Sequence, residues 1–487
     1  MNFPSLPTFT PRAGEPLYLQ VRGLIERLLA AGEFHPARPL PSSRYLASAL
    51  GVSRNTVNVA YQELIAMGLV DSRPRSGLYP SSSSRELSAH ANPSVYQSGA
   101  DVDWQSRQRR PRSLVGPPRV HPDWSEYPYP FLPGQPELQS FPARAWTRAV
   151  GDALYGPHLA FSIRDSADRD DPLLVENIRS EILLSRGVSA GADEMLITSG
   201  AQEALSLIAD VCFDASVTVA IENPGYRDAM HIVAESGATI LPVPVDRDGA
   251  RVPAEGRFDY LHLTPSHQHP TSVTLTYPRR LDLIRRAAAE DFIIIEDDYD
   301  SEVRYRGRPT PSLKSLDTRG RVIYIGTFSK FVAPGLRLGF VVASPELIEA
   351  LRRRRRYSSK HPNGHAQRSL ALFIQSGGYH RALSRHRNQL RDKWSALSTA
   401  LTAHLPWPLE TPPAGGMSIW VTGDERFDGS IVAEAAARRG VLVDPGEAFY
   451  FGDRPPRNSI RVGFNSIPRD SIEPGVAILG DIIRAQR

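Results

Sequence analysis

Two rhythms of apolar residues divide the chain. Near its start they fall at helical spacing: Leu17, Val21, Leu24, Ile25 and Leu28 in PLYLQVRGLIERLLAAGEF form one stripe, the mark of an amphipathic helix. LPSSRYLASALGVSRNTVNVAYQELIAMGLV follows. Ser42 or Ser43 is placed to cap a short helix carrying Tyr45, Leu46, Ala49 and Leu50, because a serine hydroxyl accepts from a free first-turn N–H. Gly51 ends that helix, its φ freedom suiting a tight turn. Ser53 caps a second helix with Val57, Tyr61 and Leu64 on its buried face, and Gly68 closes it. LVDSRPRSGLYP then reads as a short β-hairpin around a Pro-Arg-Ser-Gly turn. Over residues 12–80 these elements predict a winged helix-turn-helix.

Further along, the helical stripe gives way to unbroken apolar runs: MLIT (195–198), VTVAI (217–221), ATILPV (238–243), YLHL (260–263), FIII (292–295), VIYI (322–325) and LGFVVA (338–343). Runs of this kind, alternating with helical stretches, suit strands covered on both faces of a mainly parallel sheet. Residues 126–487 are therefore expected to be one large α/β unit. Between the two parts, residues 81–125 are rich in Ser, Arg and Pro with few clustered apolar side chains. Such a segment cannot bury enough surface to fold alone and reads as a linker. Its RQRRPR run at 107–112 is either a solvated tether or a source of phosphate contacts.

Composition narrows the class. The single cysteine, Cys212, forbids an internal disulfide and fits a reducing cytoplasm. No apolar run approaches the roughly 18 residues of a membrane span, and the first residues carry no basic stretch followed by an apolar core. The charge is small but uneven. Residues 1–120 hold 14 Arg against 8 Asp and Glu, or +6, which leaves −2 for the rest of a chain whose total is +4. A basic head on a near-neutral body suits a nucleic-acid-binding module, although solvated basic surfaces are common. In the second helix of the pair, Arg54, Asn55 and Asn58 lie near the start and off the apolar face. These residue types reach base edges and phosphates when a helix N-terminus enters the major groove. Arg44, Arg73 and Arg75 are candidates for backbone contacts.

Several strand-like runs stop abruptly at polar residues: TSGAQ, ENPGY, TPSHQHP, EDDYD and GTFSK. Ligands of open α/β sheets bind outside the carboxyl ends of the strands. Ser199, Gly200, Ala201 and Gln202 turn a strand into a helix start, a cradle for an anion. Lys330, one of only four lysines, follows a strand among Thr327 and Ser329 and ahead of Arg337. There it is either a surface lysine or an amine for covalent bonding to a carbonyl cofactor, with Ser329 and Arg337 on a phosphate. IIIEDDYD sets carboxylates at the end of a buried strand, suited to a protonated ring nitrogen or to Mg²⁺. Tyr226 offers an aromatic face to a flat ring. Pyridoxal 5′-phosphate (PLP) accounts for the whole set at once.

Two resemblances extend this reading. The segment from PLYLQV to SGLYP resembles the DNA-binding domain of GntR-family bacterial regulators. By that resemblance Arg44, Ser53, Arg54, Thr56, Asn58, Arg75 and the neighbourhood of Gly77 would touch DNA. The series TSGAQ, ENPGY, HQHPT, EDDYD, GTFSKxxxPGLRLG and IRVGF resembles fold-type I aminotransferases, beginning near FLPGQPELQSFPARAW. Together they are the architecture of the MocR subfamily. The resemblance implies an aldimine of PLP at Lys330, Asp297 on the pyridine nitrogen, Tyr299 on the ring hydroxyl and Tyr226 stacked. Gly200, Ala201, Gln202, Thr327, Ser329 and Arg337 would hold the phosphate. Arg461 in SIRVGF would take an effector carboxylate. The implied protein is a cytoplasmic homodimer that binds a double-stranded operator and senses an amine, an amino acid or PLP; the alternative is a working aminotransferase with an accessory DNA-binding domain.

Three departures stand out. His269-Pro270-Thr271-Ser272 replaces the aminotransferases' Asn-Pro-Thr-Gly, which removes an asparagine from the ring hydroxyl. The segment SIRDSADRDDPLLVENIRSEILLSRGV lacks a Gly-rich stretch usual in relatives, so the local loop is expected to differ. His262, His267 and His269 crowd together, but alternate strand residues face opposite ways, which argues against a metal site. The Arg352–Arg356 run, after SPELIEAL, reads as a solvated helix end with a Glu349–Arg353 pair. Cys212 reads as a core residue.

Overall fold

A computed structural model of the chain describes residues 9–12, 14–82, 103–107, 123–254, 256–307, 310–330, 332–408, 412–452 and 454–486. It forms two compact units, Met1–Arg109 and Arg110–Arg487. Most of the expected linker, including residues 108–112 of its arginine run, lies outside the described residues.

The first unit packs α1 (Leu17–Ala30), α2 (Ser43–Leu50) and α3 (Arg54–Ala66) beside a hairpin of β1 (Val70–Arg73) and β2 (Gly77–Pro80). The caps follow the residue chemistry. Ser42 accepts from Tyr45 N–H, Gly51 takes the left-handed conformation that ends α2, and Ser53 accepts from Thr56 N–H. Val21, Leu24, Ile25, Leu46, Val57, Tyr61 and Leu64 share one core. One detail differs from the apolar spacing. On α2 the inward residues are Leu46, Ala47 and Leu50, whereas Tyr45 and Ala49 are exposed. The short helix turns its small Ala47 toward the core.

The second unit is built on an eight-stranded sheet. Its members are β3 (Met195–Thr198), β4 (Thr218–Asn223), β5 (Thr239–Asp246), β6 (Gly249–Ala250), β7 (Tyr260–Leu263), β8 (Ile293–Asp298), β9 (Val322–Thr327) and β10 (Gly339–Val342). They lie in the order β3-β10-β9-β8-β7-β4-β5-β6. Only β10 and β6 run against their neighbours; the β9-β8-β7-β4-β5 block is parallel. The unbroken apolar runs have the cause anticipated for them. Leu196, Ile323, Ile325 and Val341 point to one face, against α4 (Ala201–Cys212) and α5 (Pro345–Arg356). Met195, Ile197, Tyr324, Phe340 and Val342 of the same strands point to the other, against α6 (Gly364–Gln375). A smaller antiparallel sheet, ordered β11-β13-β12, consists of β11 (Ser418–Thr422), β12 (Asp444–Pro445) and β13 (Ser459–Gly463). Its Ile419, Val421, Ile460 and Val462 form a separate core with Leu397 and Leu401.

The arginine run at 352–356 is more than a solvated helix end. Glu349 does pair with Arg353 at 2.5 Å, but Arg355 is completely buried. Arg352 and Arg355 grip the two oxygens of Asp170 at 2.8 and 2.7 Å. The helical period explains this: Ile348, Leu351 and Arg355 occupy one stripe, which faces inward. Asp170 comes from the segment that lacks the Gly-rich stretch, and its neighbour Asp171 caps the helix Pro172–Asn177 while pairing with buried Arg368 at 2.7 Å. That loop therefore spends two of its acids on internal arginines. Cys212 is only half-buried, against Tyr260.

Candidate functional site

The polar strand ends converge in the second unit. A cavity of about 140 Å³ is lined by Ala201, Gln202, Tyr226, His269, Asp297, Tyr299, Thr327, Ser329, Lys330 and Arg337, together with Thr264 and Pro334. Gly200 adjoins it. Its φ is +90°, and a Cβ there would lie 3.6 Å from the Arg337 guanidinium and 3.7 Å from Ser329 Oγ. Gly200 is thus the turn at which β3 becomes α4 and the point at which backbone meets the candidate anion site. Arg337 itself holds a left-handed φ of +50°, a strained conformation of the kind that clusters at ligand clamps. The glycine that ends the GTFSKxxxPGLRLG motif supports the cradle. A Cβ on Gly339 would meet Gly200 Cα at 3.0 Å and Gly326 O at 2.8 Å, so β10 approaches the turn only because that side chain is missing.

The three carboxylates of EDDYD go three ways, because alternate strand residues face opposite sides. Glu296 accepts from the N–H groups of Leu313 and Lys314, both at 2.8 Å. Asp298 takes Arg186 and the Tyr324 hydroxyl at 2.7 and 2.6 Å. Asp297 faces the cavity, buried, with Oδ1 lacking a partner among the described residues. Burial first, and then the charge of Asp298, push its carboxyl up to about 7. Lys330 is half-buried; desolvation lowers its ammonium, with the Arg461 charge acting in the same direction. The Tyr226 hydroxyl donates to Gln202 at 2.8 Å. Ser329 Oγ is buried without a partner among the described residues.

The three histidines point to different partners. His262 Nε2 lies 3.9 Å from Asp297, and burial lowers its imidazole to about 4. His267 Nδ1 is 2.8 Å from Asp300. His269 Nε2 accepts from Arg461 Nη1 at 2.9 Å. Burial, then Arg461 and Lys330, hold His269 well below its ordinary value, so it is neutral. Ser272, standing where relatives have Gly, occupies a left-handed φ of +60° and bonds Ser418 O at 3.1 Å.

Arg461 lies outside the small cavity. It lines two adjoining ones, of about 230 and 600 Å³, the first shared with Lys330, Tyr299 and Asp300. Its guanidinium is engaged: Nε and Nη2 reach Asp444 Oδ2 at 3.0 and 2.8 Å, and the group lies 4.3 Å over the Phe449 ring. Sequence reasoning missed Asp444, since nothing in VLVDPGEAF marks it. Only the register, which sets Asp444 opposite Arg461 across β12 and β13, pairs them.

In the first unit Arg44, Ser53, Arg54, Asn58, Arg75 and Gly77 are exposed, and Thr56 is half-buried. Ser53 and Thr56 bond each other at 2.8 Å as the cap of α3. Arg54 Nε donates to Ser43 Oγ at 3.3 Å, which ties the start of α3 to α2. At the hairpin tip Arg75 has a φ of +61°, and Arg73 stacks 4.2 Å over Tyr79.

Known proteins share both units. Residues 17–79 match the family described as bacterial regulatory proteins, gntR family, and residues 167–479 match aminotransferase class I and II. The HTH-type transcriptional regulator TauR of Rhodobacter capsulatus is 37% identical over 96% of either chain. The probable rhizopine catabolism regulatory protein MocR of Rhizobium meliloti is 31% identical over 95% of this chain and 93% of its own. The crystal structure of a multiple substrate aminotransferase from Thermococcus profundus superposes with a TM-score of 0.72 at 26% identity, covering 79% of this chain and 99% of that one.

Proposed function

The chain belongs to the MocR subfamily of GntR-family transcriptional regulators, and from that membership we propose that it is a PLP-dependent regulator which senses an amine, an amino acid or PLP itself at Lys330. One observation carries the reading. The cavity lined by half-buried Lys330 is also lined by residues with two buried polar atoms that lack partners among the described residues, Asp297 Oδ1 and Ser329 Oγ. Leaving such atoms unpaired costs about 1–3 kcal/mol each, and a phosphorylated pyridine would satisfy both. The donor set fits such a group, with an amine, a carboxyl for the ring nitrogen, and an Arg-Ser-helix-start cradle for the phosphate.

When bound, PLP supplies an aldehyde that condenses reversibly with primary amines. The protein's own groups do the rest. Lys330, deprived of solvent, offers an unprotonated Nζ more readily than a surface lysine. Asp297 holds a proton on the ring nitrogen. Arg337, Ser329, Thr327 and the N–H groups at Gly200, Ala201 and Gln202 bind the phosphate. Tyr226 would cover a ring face, and Tyr299 would reach the ring hydroxyl. Arg44, Ser53, Arg54, Thr56, Asn58, Arg75 and Gly77 form the operator-binding face.

A run of exposed apolar side chains in the second unit, Leu154, Tyr155, Leu159, Phe161 and Ile163, supports a homodimer, whose operator would carry paired half-sites. Among the described residues no helix is long and apolar enough to cross a membrane, in keeping with a cytoplasmic regulator. Borohydride reduction of the holo-protein, followed by peptide mass mapping, should add the cofactor's mass at Lys330 and nowhere in Lys330→Ala. Cofactor mass at another lysine, or at none, overturns the proposal. Rapid multiple turnover with an amino donor and a keto acid would favour a working aminotransferase instead.

A further inference from the structure

Arg461 is the residue whose position suits an effector carboxylate, yet each of its three nitrogens already has a partner. Asp444 Oδ2 receives Nε at 3.0 Å and Nη2 at 2.8 Å, and His269 Nε2 receives Nη1 at 2.9 Å. Phe449 closes one face of the guanidinium. The pair is no accident of a flexible side chain. Asp444 and Arg461 are directly opposed in neighbouring antiparallel strands, where opposite charges on one face attract. Both side chains are largely covered, at 19% and 12% exposure, so solvent screens the pair little.

A free amino acid approaching Lys330 would need a fork of Arg461 for a two-pronged carboxylate contact; Asp444 occupies the Nε–Nη2 fork, and His269 engages Nη1 of the other. Displacing it would break charge-assisted hydrogen bonds and leave a largely buried carboxylate unpaired beside the incoming one, two like charges at close range. An amine without a carboxylate meets no such obstacle. It finds instead a wall whose charge is already cancelled, with Met417, Leu132 and Phe449 beside the ion pair.

We propose that Asp444 is a specificity-determining residue: by holding Arg461 as a closed pair it makes the site select primary amines that lack an α-carboxylate over the corresponding amino acids. This rests on the reading of Lys330 as the cofactor-bearing residue and names the effector class for it. Asp444 acts through Arg461 and is a positioning residue, with no part in the bonding chemistry.

The test uses a matched pair of probes with one carbon skeleton, 3-methylbutylamine and L-leucine, titrated into the full-length holo-protein while the cofactor absorbance and the binding heat are followed. The natural protein should bind the amine at least about tenfold more tightly, the scale of one charge-assisted contact. Asp444→Asn keeps the shape and removes the charge, and it should move the ratio of the two affinities toward L-leucine by about tenfold to a hundredfold. Asp444→Ser, which shortens the side chain, should move it the same way. A ratio unchanged in both variants, or no response to either probe, with cofactor demonstrably bound at Lys330, overturns this inference alone. No cofactor at Lys330 in the natural protein removes the functional reading and this inference together.

Discussion

Asp297 allows the cofactor site to be tested through stability alone. Its carboxyl is buried and pushed from 3.8 to about 7, by burial first and by Asp298 second. A folded value above the unfolded one means that the native state holds the proton longer, so the associated stability is complete below about pH 4 and is lost as pH rises through 7. About three units separate the two values, and at 1.36 kcal/mol per unit the full loss is about 4 kcal/mol. Between pH 5 and pH 8 about two of those units are crossed, or about 3 kcal/mol. Asp297→Asn is isosteric and never ionises, so in the cofactor-free protein it should be the more stable form at pH 8, with the gap shrinking by about 3 kcal/mol toward pH 5. Glu302, also raised to about 7 by burial, tilts both proteins alike and drops out of the difference. Urea unfolding of cofactor-free samples at pH 5, 6, 7 and 8, followed by tryptophan fluorescence, measures it. PLP should then stabilise the natural protein more than the variant, because only a carboxylate pairs with a protonated ring nitrogen. A gap independent of pH, or a variant weaker at pH 8, refutes the claim that burial of this carboxyl is a strain which the cofactor relieves.

Other consequences are read more directly. Asp170→Ala leaves Arg355 buried without its partner and should destabilise the second unit by about 3–5 kcal/mol, seen as an earlier denaturation midpoint. Ser53→Ala removes the cap of α3 and should cost the first unit about 1 kcal/mol by thermal unfolding, with weaker operator binding if the same hydroxyl meets a phosphate. Arg44→Ala should lower DNA affinity about equally for all sequences and reduce the slope of log affinity against log salt by about 1. Arg54→Ala should cost about 1–3 kcal/mol at the operator and relax base preference at one position; equal losses on operator and random DNA, by fluorescence anisotropy, would count against a base contact.

Strand content was legible wherever burial on both faces leaves an unbroken apolar run. MLIT, VIYI and LGFVVA show their two-sided packing in their composition, since Leu196 and Ile197 face opposite helices and neither can be polar. The abrupt polar ends were legible for the same reason, because TSGAQ and GTFSK stop being apolar where the sheet stops being covered. Pairings were not. Arg355 looks like its neighbours in a run of five arginines, and only the helical phase against Asp170 sends it inward. Asp444 finds Arg461 through a cross-strand register that spacing along the chain does not encode. On α2 the apolar residues do not mark the inward face, which takes Ala47 and leaves Tyr45 and Ala49 exposed, because a helix of eight residues has too few turns to fix its phase.

The two groups an effector would touch are anchored on different sheets. Lys330 follows β9 of the large sheet, while Arg461 and Asp444 sit on β13 and β12 of the small one, whose apolar core is separate. A ligand shifts an equilibrium only to the extent that it binds two arrangements unequally. An amine that engaged the cofactor site alone would leave the spacing of the two sheets untouched. One long enough to reach from Lys330 to the Asp444–Arg461 pair makes its full set of contacts at a single spacing, and its binding energy then favours that spacing over all others. The cavity of about 230 Å³ that both groups line is therefore where chemical recognition would become mechanical. A ladder of amines of increasing length should show affinity and the effect on DNA binding rising together, with a break at the length that first spans it.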